Sequence, residues 1–338
     1  MVYVYTSING AYLANARILA QSIKKYHPDW RFVLLYSDTN NVDINWTNQP
    51  FDEVLFAHKL PIESFRNWAF KYNIIELCTA VKGVAAQYLF DSKGAEKVIY
   101  LDPDTVVFSK MDEVLKLLDE HIAILTPHIT DAANEEAGIL NHEMAALKHG
   151  TFNLGFYAFN SSKESRVFLD WWAHRIQHYA YADFQAGLFT DQKWCNLAPY
   201  LFDNICILAE SNYNVATWNI NNRKITYVNN KWLVNNKPLK FYHFSGFGNN
   251  FKWADRELEI FTEADDELRH LWKWYKKQYS YNKIFNLNSW FWGKYENGEE
   301  IQQLHRKLYR EDLDLQKLYP NPYSNSFYMN VIGNKWFN

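Results

Sequence analysis

The stretch "VIYLDPDTVVFSK", Val98–Lys110, runs four apolar residues into two aspartates separated by a proline. A short run rich in β-branched and aromatic residues reads as a strand covered on both faces, usually a parallel one. Asp102 and Asp104 then stand at the end of that strand, at an edge of the core. Two carboxylates there repel each other and lose hydration, so a positive partner is expected. Pro103 ends regular pairing and turns both acids toward one point. A divalent cation with hard oxygen ligands meets the electrostatic need, and open α/β sheets gather ligands beyond the carboxyl ends of their strands. The alternative is a turn whose aspartates cap the following segment, "SKMDEVLKLLDE".

Working outward, residues 2–5 alternate β-branched and aromatic side chains. The segment "TSINGAYLANARILAQSIKKYHP" then supplies a polar turn and an amphipathic helix with Leu13, Ala16, Leu19, Ala20 and Ile23 near one face. Strands are predicted at 31–37 and 52–58, and a single helix over Trp68–Phe90 leads into the strand at 98–101. Strands alternating with helices imply an α/β fold with parallel pairing and crossover connections. Beyond the aspartates come a short helix at 112–119, a strand at 122–126 and a polar excursion over 128–150 that suits a flap. A strand at 151–160 and a helix carrying Trp171 and Trp172 follow, and the two indoles point to different faces and are assigned to packing. The stretch "KITYVNNKWLVNNKPLKFYHFSG" reads as an Asn-Asn hairpin and a strand ending at His243.

Composition bounds the function. The 338 residues are 48% hydrophobic and 22% charged, with 35 basic against 38 acidic side chains. No basic stripe dominates, so nucleic acid is not the expected partner. Cys78, Cys195 and Cys206 lack metal-type or disulfide-type spacing and read as reduced core thiols. No apolar run reaches the roughly 20 residues of a membrane span, and cytoplasmic residence is the default expectation. Aromatics make up 18% of the chain, which permits sugar or base stacking but equally serves packing. From about residue 255 the chain turns helical, charged and aromatic. This tail reads as a helical cap on the sheet, with the cluster Trp272, Lys273, Trp274, Lys276 and Lys277 as an alternative contact with anionic lipid at the inner membrane face.

Several separated features fall at ends of predicted strands: the turn at 6–12, Asp102 with Asp104, Asn153 with Gly155, Asp191 with Gln192, and "HFSG" at 243–246. In this order they resemble the GT-A glycosyltransferases, specifically the retaining family-8-like group and related bacterial polysaccharide enzymes, over residues 1–250. The resemblance implies a Rossmann-like mixed sheet flanked by helices, spanning residues 1–254, with a helical extension over 255–338. It implies a metal-dependent hexosyltransferase, with Mn2+ or Mg2+ held by Asp102, Asp104 and His243. The implied partners are a nucleotide-diphosphate sugar, UDP-sugar favoured, and a saccharide or lipid-linked saccharide acceptor.

The resemblance also assigns individual contacts. Asp102 would touch the ribose as well as the metal, Tyr12 would stack on the nucleobase, and Thr6 and Ser7 would bond its edge. Lys82, Asn153, Gly155, Gly246 and Lys252 would contact the donor, and Asp191 and Gln192 would be the catalytic pair at the transferred sugar; retention would come either from front-face attack by the acceptor or from a covalent intermediate, for which Asp191 is the candidate carboxylate. The chain departs from the family near Asn9, where an aspartate is frequent, and "GFGNNFKW" lacks the proline of the family's late lysine motif. Each assignment has a structural counterpart: His243 as a core histidine bonded to a carbonyl, Lys82 as a surface lysine, Asp191 as the N-cap of the helix after it. Two other classes share the layout. A sugar nucleotidyltransferase would need a Gly-rich basic loop after the first strand, and a glycan-binding or assembly protein would keep the scaffold without turnover.

Overall fold

The computed structural model describes residues 1–39, 44–247, 252–261, 266–283 and 290–333, without the side chains at 252–254, 258 and 261. The strands are β1 (Val2–Ile8), β2 (Arg31–Tyr36), β3 (Glu53–Phe56), β4 (Lys97–Leu101), β5 (Thr105–Val107), β6 (Ala123–Pro127), β7 (Phe152–Asn160), β8 (Ile205–Ile207), β9 (Val215–Ala216), β10 (Ile225–Val228), β11 (Lys231–Val234), β12 (Lys237–Pro238) and β13 (Phe241–His243). Seven of them form one mixed sheet in the order β3-β2-β1-β4-β7-β6-β8. The pairs β1–β2, β2–β3, β1–β4 and β6–β8 are parallel, whereas β7 runs antiparallel to both β4 and β6. Helices cover both faces, so β1, β2, β4 and β7 are buried almost throughout, as their unbroken apolar runs require.

On one face, the helices Ile74–Ala80, Lys82–Lys93 and Lys163–Tyr179 pack with the side chains of Tyr5, Tyr100 and Tyr157. The sequence suggests one helix from Trp68 to Phe90. Three are present, Phe65–Phe70, Ile74–Ala80 and Lys82–Lys93; Asn73 caps the second in a capping box with Glu76 and so starts a new axis after the first, and a second break falls at Val81. The close approach of Lys82–Lys93 to Lys163–Tyr179 depends on Gly83, where a Cβ would sit 2.5 Å from Ala173 Cα. On the other face the predicted amphipathic helix forms as Leu13–Tyr26, and Leu13, Ala16, Leu19, Ala20 and Ile23 are all buried.

Two small sheets complete the fold. β10, β11 and β12 form a meander, its turns made by Asn229–Asn230 and Asn235–Asn236, all four at positive φ, the backbone that two-residue hairpins favour. The second and more consequential sheet is β5-β13-β9, in which β13 runs antiparallel to β5 with His243 opposite Thr105. The excursion at 128–150 is helical from Glu136 to His149.

The C-terminal helices dock onto this body. Trp272 is turned inward with its indole N–H donating to the Tyr242 hydroxyl at 2.9 Å, and Trp274 lies against Phe108. The proposed lipid-facing cluster therefore lacks its first tryptophan, and Lys273, Lys276 and Lys277 are what it exposes. Further on, Arg306 is buried and donates to the carbonyls of Phe70, Tyr72 and Trp292. Among the described residues no helix is long and apolar enough to cross a membrane.

Asp38, buried at the end of β2, accepts the N–H groups of Thr39 and Phe291 and so joins the sheet to the C-terminal segment. Burial outweighs those bonds and pushes its carboxyl up to about 6. A raised folded pKa means that the folded state keeps this proton between about pH 4 and 6, so the group lowers stability as pH rises through that window. Asp38→Asn keeps an acceptor oxygen without the charge. It should be more stable than the parent at pH 7.5, by up to about 3 kcal/mol, and lose that advantage below pH 4, as read by urea unfolding at the two pH values.

Candidate active site

The two aspartates are delivered by a tight turn. Asp102 N–H donates to Gly155 O at 2.8 Å, and Thr105 N–H donates back to Asp102 O at 3.0 Å across Pro103. Phe244 N–H then donates to Asp104 O, so the segment after β4 and the end of β13 are stitched together. The result brings His243 Nε2 to 3.1 Å from Asp104 Oδ1 and 3.8 Å from Asp102 Oδ2. One ligand atom from each of the three lies within 4.8 Å of the others. Two carboxylates and one imidazole at this spacing fit a hard divalent cation that keeps sites for phosphate and water. His243 is buried, and although burial disfavours its charged form, Asp104 and Asp102 hold its pKa above the ordinary value.

Gly155 makes this approach possible. A Cβ on it would sit 2.5 Å from His243 Cε1, so any larger residue would drive the ring away from the aspartates.

Lys82 is buried, not at the surface. Its ammonium is 2.9 Å from Asp191 Oδ2 and 3.4 Å from Asp102 Oδ1, and lies 4.2 Å from the centre of the Tyr100 ring. Burial alone would lower the Lys82 pKa, but Asp102 and Asp191 raise it above an ordinary lysine. Burial pushes on Asp102 too, and there Lys82, His243 and the Tyr100 hydroxyl prevail and hold the carboxyl below the usual range. Asp191 differs: burial outweighs Lys82 and its pKa is raised.

Tyr100 was not singled out by the sequence, yet its hydroxyl donates to Asp102 Oδ1 at 2.7 Å. That bond and Lys82 occupy Oδ1 and leave Oδ2 toward His243. A residue two before the first aspartate on the same strand points to the same side, and this was the available signal.

Asp191 occupies the N-cap position of the helix Gln192–Cys195 without making a capping bond; Lys82 takes its carboxylate instead. Thr190 before it has φ +46, a left-handed conformation that costs a β-branched residue about 1–3 kcal/mol. Trp172 is buried in the core as expected and also donates its indole N–H to Asp191 O at 3.3 Å.

These groups line a cleft of about 830 Å3. Its lining also includes Ser7, Asn9 and Tyr12 from the end of β1 and the turn after it, Ile75, Cys78 and Thr79 from the helix Ile74–Ala80, and His128, His142, His149, Asn153, Gln192 and Trp218. Tyr12 is half exposed. Ser7 lines the cleft, but its hydroxyl donates to Cys78 O at 2.6 Å; Thr6 is fully buried and does not line it. Successive strand residues face opposite sides, so only one of that pair reaches the cleft. Gly246 is not in the lining either; it supplies φ +82 in the turn after Ser245, which is. Lys252 opens the helix Lys252–Phe261, with its side chain outside the described residues.

Asn153 Oδ1 accepts from Gly155 N–H at 3.1 Å and from Asn214 Nδ2 at 3.2 Å, so its amide nitrogen faces His128 Nε2 at 3.2 Å. Burial pushes His128 down to about 4, and the neutral ring accepts from Asn153. His128 follows β6 directly, a strand-end position like those of the other motifs. Gln192 donates to His149 O at 3.0 Å.

The family model for glycosyl transferase family 8 matches residues 3–252. The chain belongs to this family. Two curated relatives of the family-8 chain, both from Bacillus subtilis (strain 168), are themselves uncharacterized: YfnF is 24% identical over 174 residues, and YfnD is 29% identical over 100. The matches take in 51% and 29% of this chain and 57% and 32% of those proteins, so the chain spans about half their length or less. Among solved structures, the galactosyltransferase LgtC in complex with donor and acceptor sugar analogs is 17% identical with a TM-score of 0.42, covering 80% of this chain and 99% of LgtC. The glycosyltransferase GlyE of Streptococcus pneumoniae TIGR4 is 16% identical with a TM-score of 0.43, covering 82% and 64%. The family assignment and the mixed, helix-flanked sheet agree with the expected GT-A architecture.

Lys82→Met tests the charge arrangement. It leaves Asp191 and Asp102 facing each other without their shared cation and should cost about 3–5 kcal/mol in urea unfolding at pH 7.5. Asp191→Asn in the same chain should recover part of that loss.

Proposed function

We propose that the protein transfers a hexose from a nucleoside-diphosphate sugar, UDP-sugar first, to a hydroxyl of a saccharide or lipid-linked saccharide, with retention at the anomeric carbon. The observation that carries this reading is the meeting of Asp102, Asp104 and His243 in the same cleft as the Lys82–Asp191 pair. Asp102, Asp104 and His243 would hold Mn2+ or Mg2+, which when bound supplies positive charge to the departing diphosphate. Residues 1–254 make up the catalytic unit in this reading, and 255–338 an extension of it.

The chain's own groups divide the work. The part of the cleft at Tyr12 takes the nucleoside, because it offers a half-exposed aromatic face with Ala11 and Ile75 also in the lining. Asn153 and Gln192, also in the lining, present amides to the sugar hydroxyls. Asp191 has Oδ2 against Lys82 and Oδ1 accepting from the Thr190 hydroxyl, which favours an electrostatic role beside the reacting carbon over attack on it. The acceptor hydroxyl then enters from the side the diphosphate leaves and gives its proton to a phosphate oxygen. Surface polysaccharide synthesis at the cytoplasmic side of a membrane is the setting we infer from the family resemblance.

A panel of nucleotide sugars incubated with Mn2+ and the full chain tests this, with product followed by anomeric NMR. One donor should be hydrolysed or transferred with its configuration kept. Asp104→Ala should lower that rate by at least about 100-fold, and chelation of the metal should do the same to the parent. Intact donors throughout would leave the glycan-binding reading in its place, and an inverted product would remove retention.

A further inference from the structure

The loop Tyr181–Thr190 leads straight into Asp191 and is closed on itself. Leu188 N–H donates to Asp183 O at 2.9 Å, Thr190 N–H donates to Tyr181 O at 3.1 Å, and Ala186 N–H donates to Asp183 Oδ1. Its backbone must hold Thr190 in a left-handed conformation, which persists only where the surroundings over-determine it. Part of that determination comes from residues more than a hundred positions away. The Arg310 guanidinium, on the helix Gln303–Glu311, lies 3.9 Å from the centre of the Tyr181 ring and 3.7 Å from Asp183 Oδ2. The ring of Tyr181 is stacked on Tyr72 from its own side. Glu76 Oε1 accepts both Ala182 N–H at 3.0 Å and Gln303 Nε2 at 3.5 Å.

We propose that Arg310 is a positioning residue for Asp191, so that the C-terminal helix acts as an outer brace of the active site. The assignment rests on the role proposed above for Asp191. The helix lies outside residues 3–252, the span of the family match, so the brace is a property of this chain's extension. Arg310 and Arg306 differ in kind. Arg306 is satisfied by three carbonyls and belongs to the fold, whereas Arg310 Nη1 has no hydrogen-bond partner among the described residues. Its contacts beyond its own helix are the Tyr181 ring and the Asp183 carboxylate, both on the loop that ends at Asp191, while Glu311 Oε1 lies 4.0 Å from its Nε within the helix. Removing it should therefore loosen that loop without dismantling the core. The metal-binding triad stands on other elements, so its binding is separable.

The test uses the full chain with Arg310→Ala and Arg310→Lys, and with Lys307→Ala on the same helix as a control. Hydrogen exchange of the amides in 181–191, Leu188 and Thr190 above all, should quicken at least tenfold in Arg310→Ala while peptides from β4 and β7 keep their rates. Arg310→Lys should restore part of the protection, and Lys307→Ala should match the parent. With an active donor in hand, kcat should fall at least tenfold with donor KM within about twofold, since a misplacement of about 1 Å costs up to about 100-fold. Isothermal titration with UDP and Mn2+ should give the parent's stoichiometry and affinity. Unchanged exchange over 181–191, or exchange rising equally across the chain, overturns the proposal even if no donor is ever turned over. Altered exchange with unaltered kcat overturns the link to Asp191 alone.

Discussion

Like charge is concentrated at the end of one buried strand, and the surrounding structure answers it. Asp102, Asp104 and Asp191 converge where water is scarce, and each ionised carboxylate there would be costly without a partner. Lys82 stands between Asp102 and Asp191, and His243 stands against Asp104 and Asp102. Lys82 arrives by a helix start and His243 by the last strand of the small sheet. The packing of Gly83 against Ala173 and the void at Gly155 are what those arrivals require.

The remainder of the cleft is governed by hydrogen bonds between neutral groups. Asn214, Asn153 and His128 form a chain in which each amide's orientation is fixed by the next, and His128 stays uncharged because it is buried. Fixed dipoles of this kind need no reorganisation when a polar ligand enters, which is how a preorganised site lowers a barrier. The lining around Tyr12 is of a different character, with one half-exposed tyrosine and short polar side chains among apolar ones.

Much of the fold could be read from the chain. The apolar runs of β1, β2, β4 and β7, the amphipathic helix Leu13–Tyr26 and the Asn-Asn turn are local patterns whose burial follows from periodicity. The helix expected over Trp68–Phe90 is broken twice, and the first break is made by a capping residue, Asn73, whose signal is short and easily masked by the apolar positions around it. The antiparallel setting of β7 gives no local sign, since a strand buried on both faces looks alike in either direction.

Of the candidate site, the acids and His243 were legible as strand ends, and the amides as motifs beside them. Whether Lys82 lay at the surface or in the core was not legible, because a lysine on a helix looks the same in both places. The sequence by itself determined which chemistry the chain carries: hard oxygen ligands, an imidazole, amides and one aromatic at the turns of an α/β sheet. Only the tertiary structure decided which of those groups meet, since the register of β13 on β5 puts His243 opposite Thr105, and pairing between segments more than a hundred residues apart depends on the packing of the whole sheet.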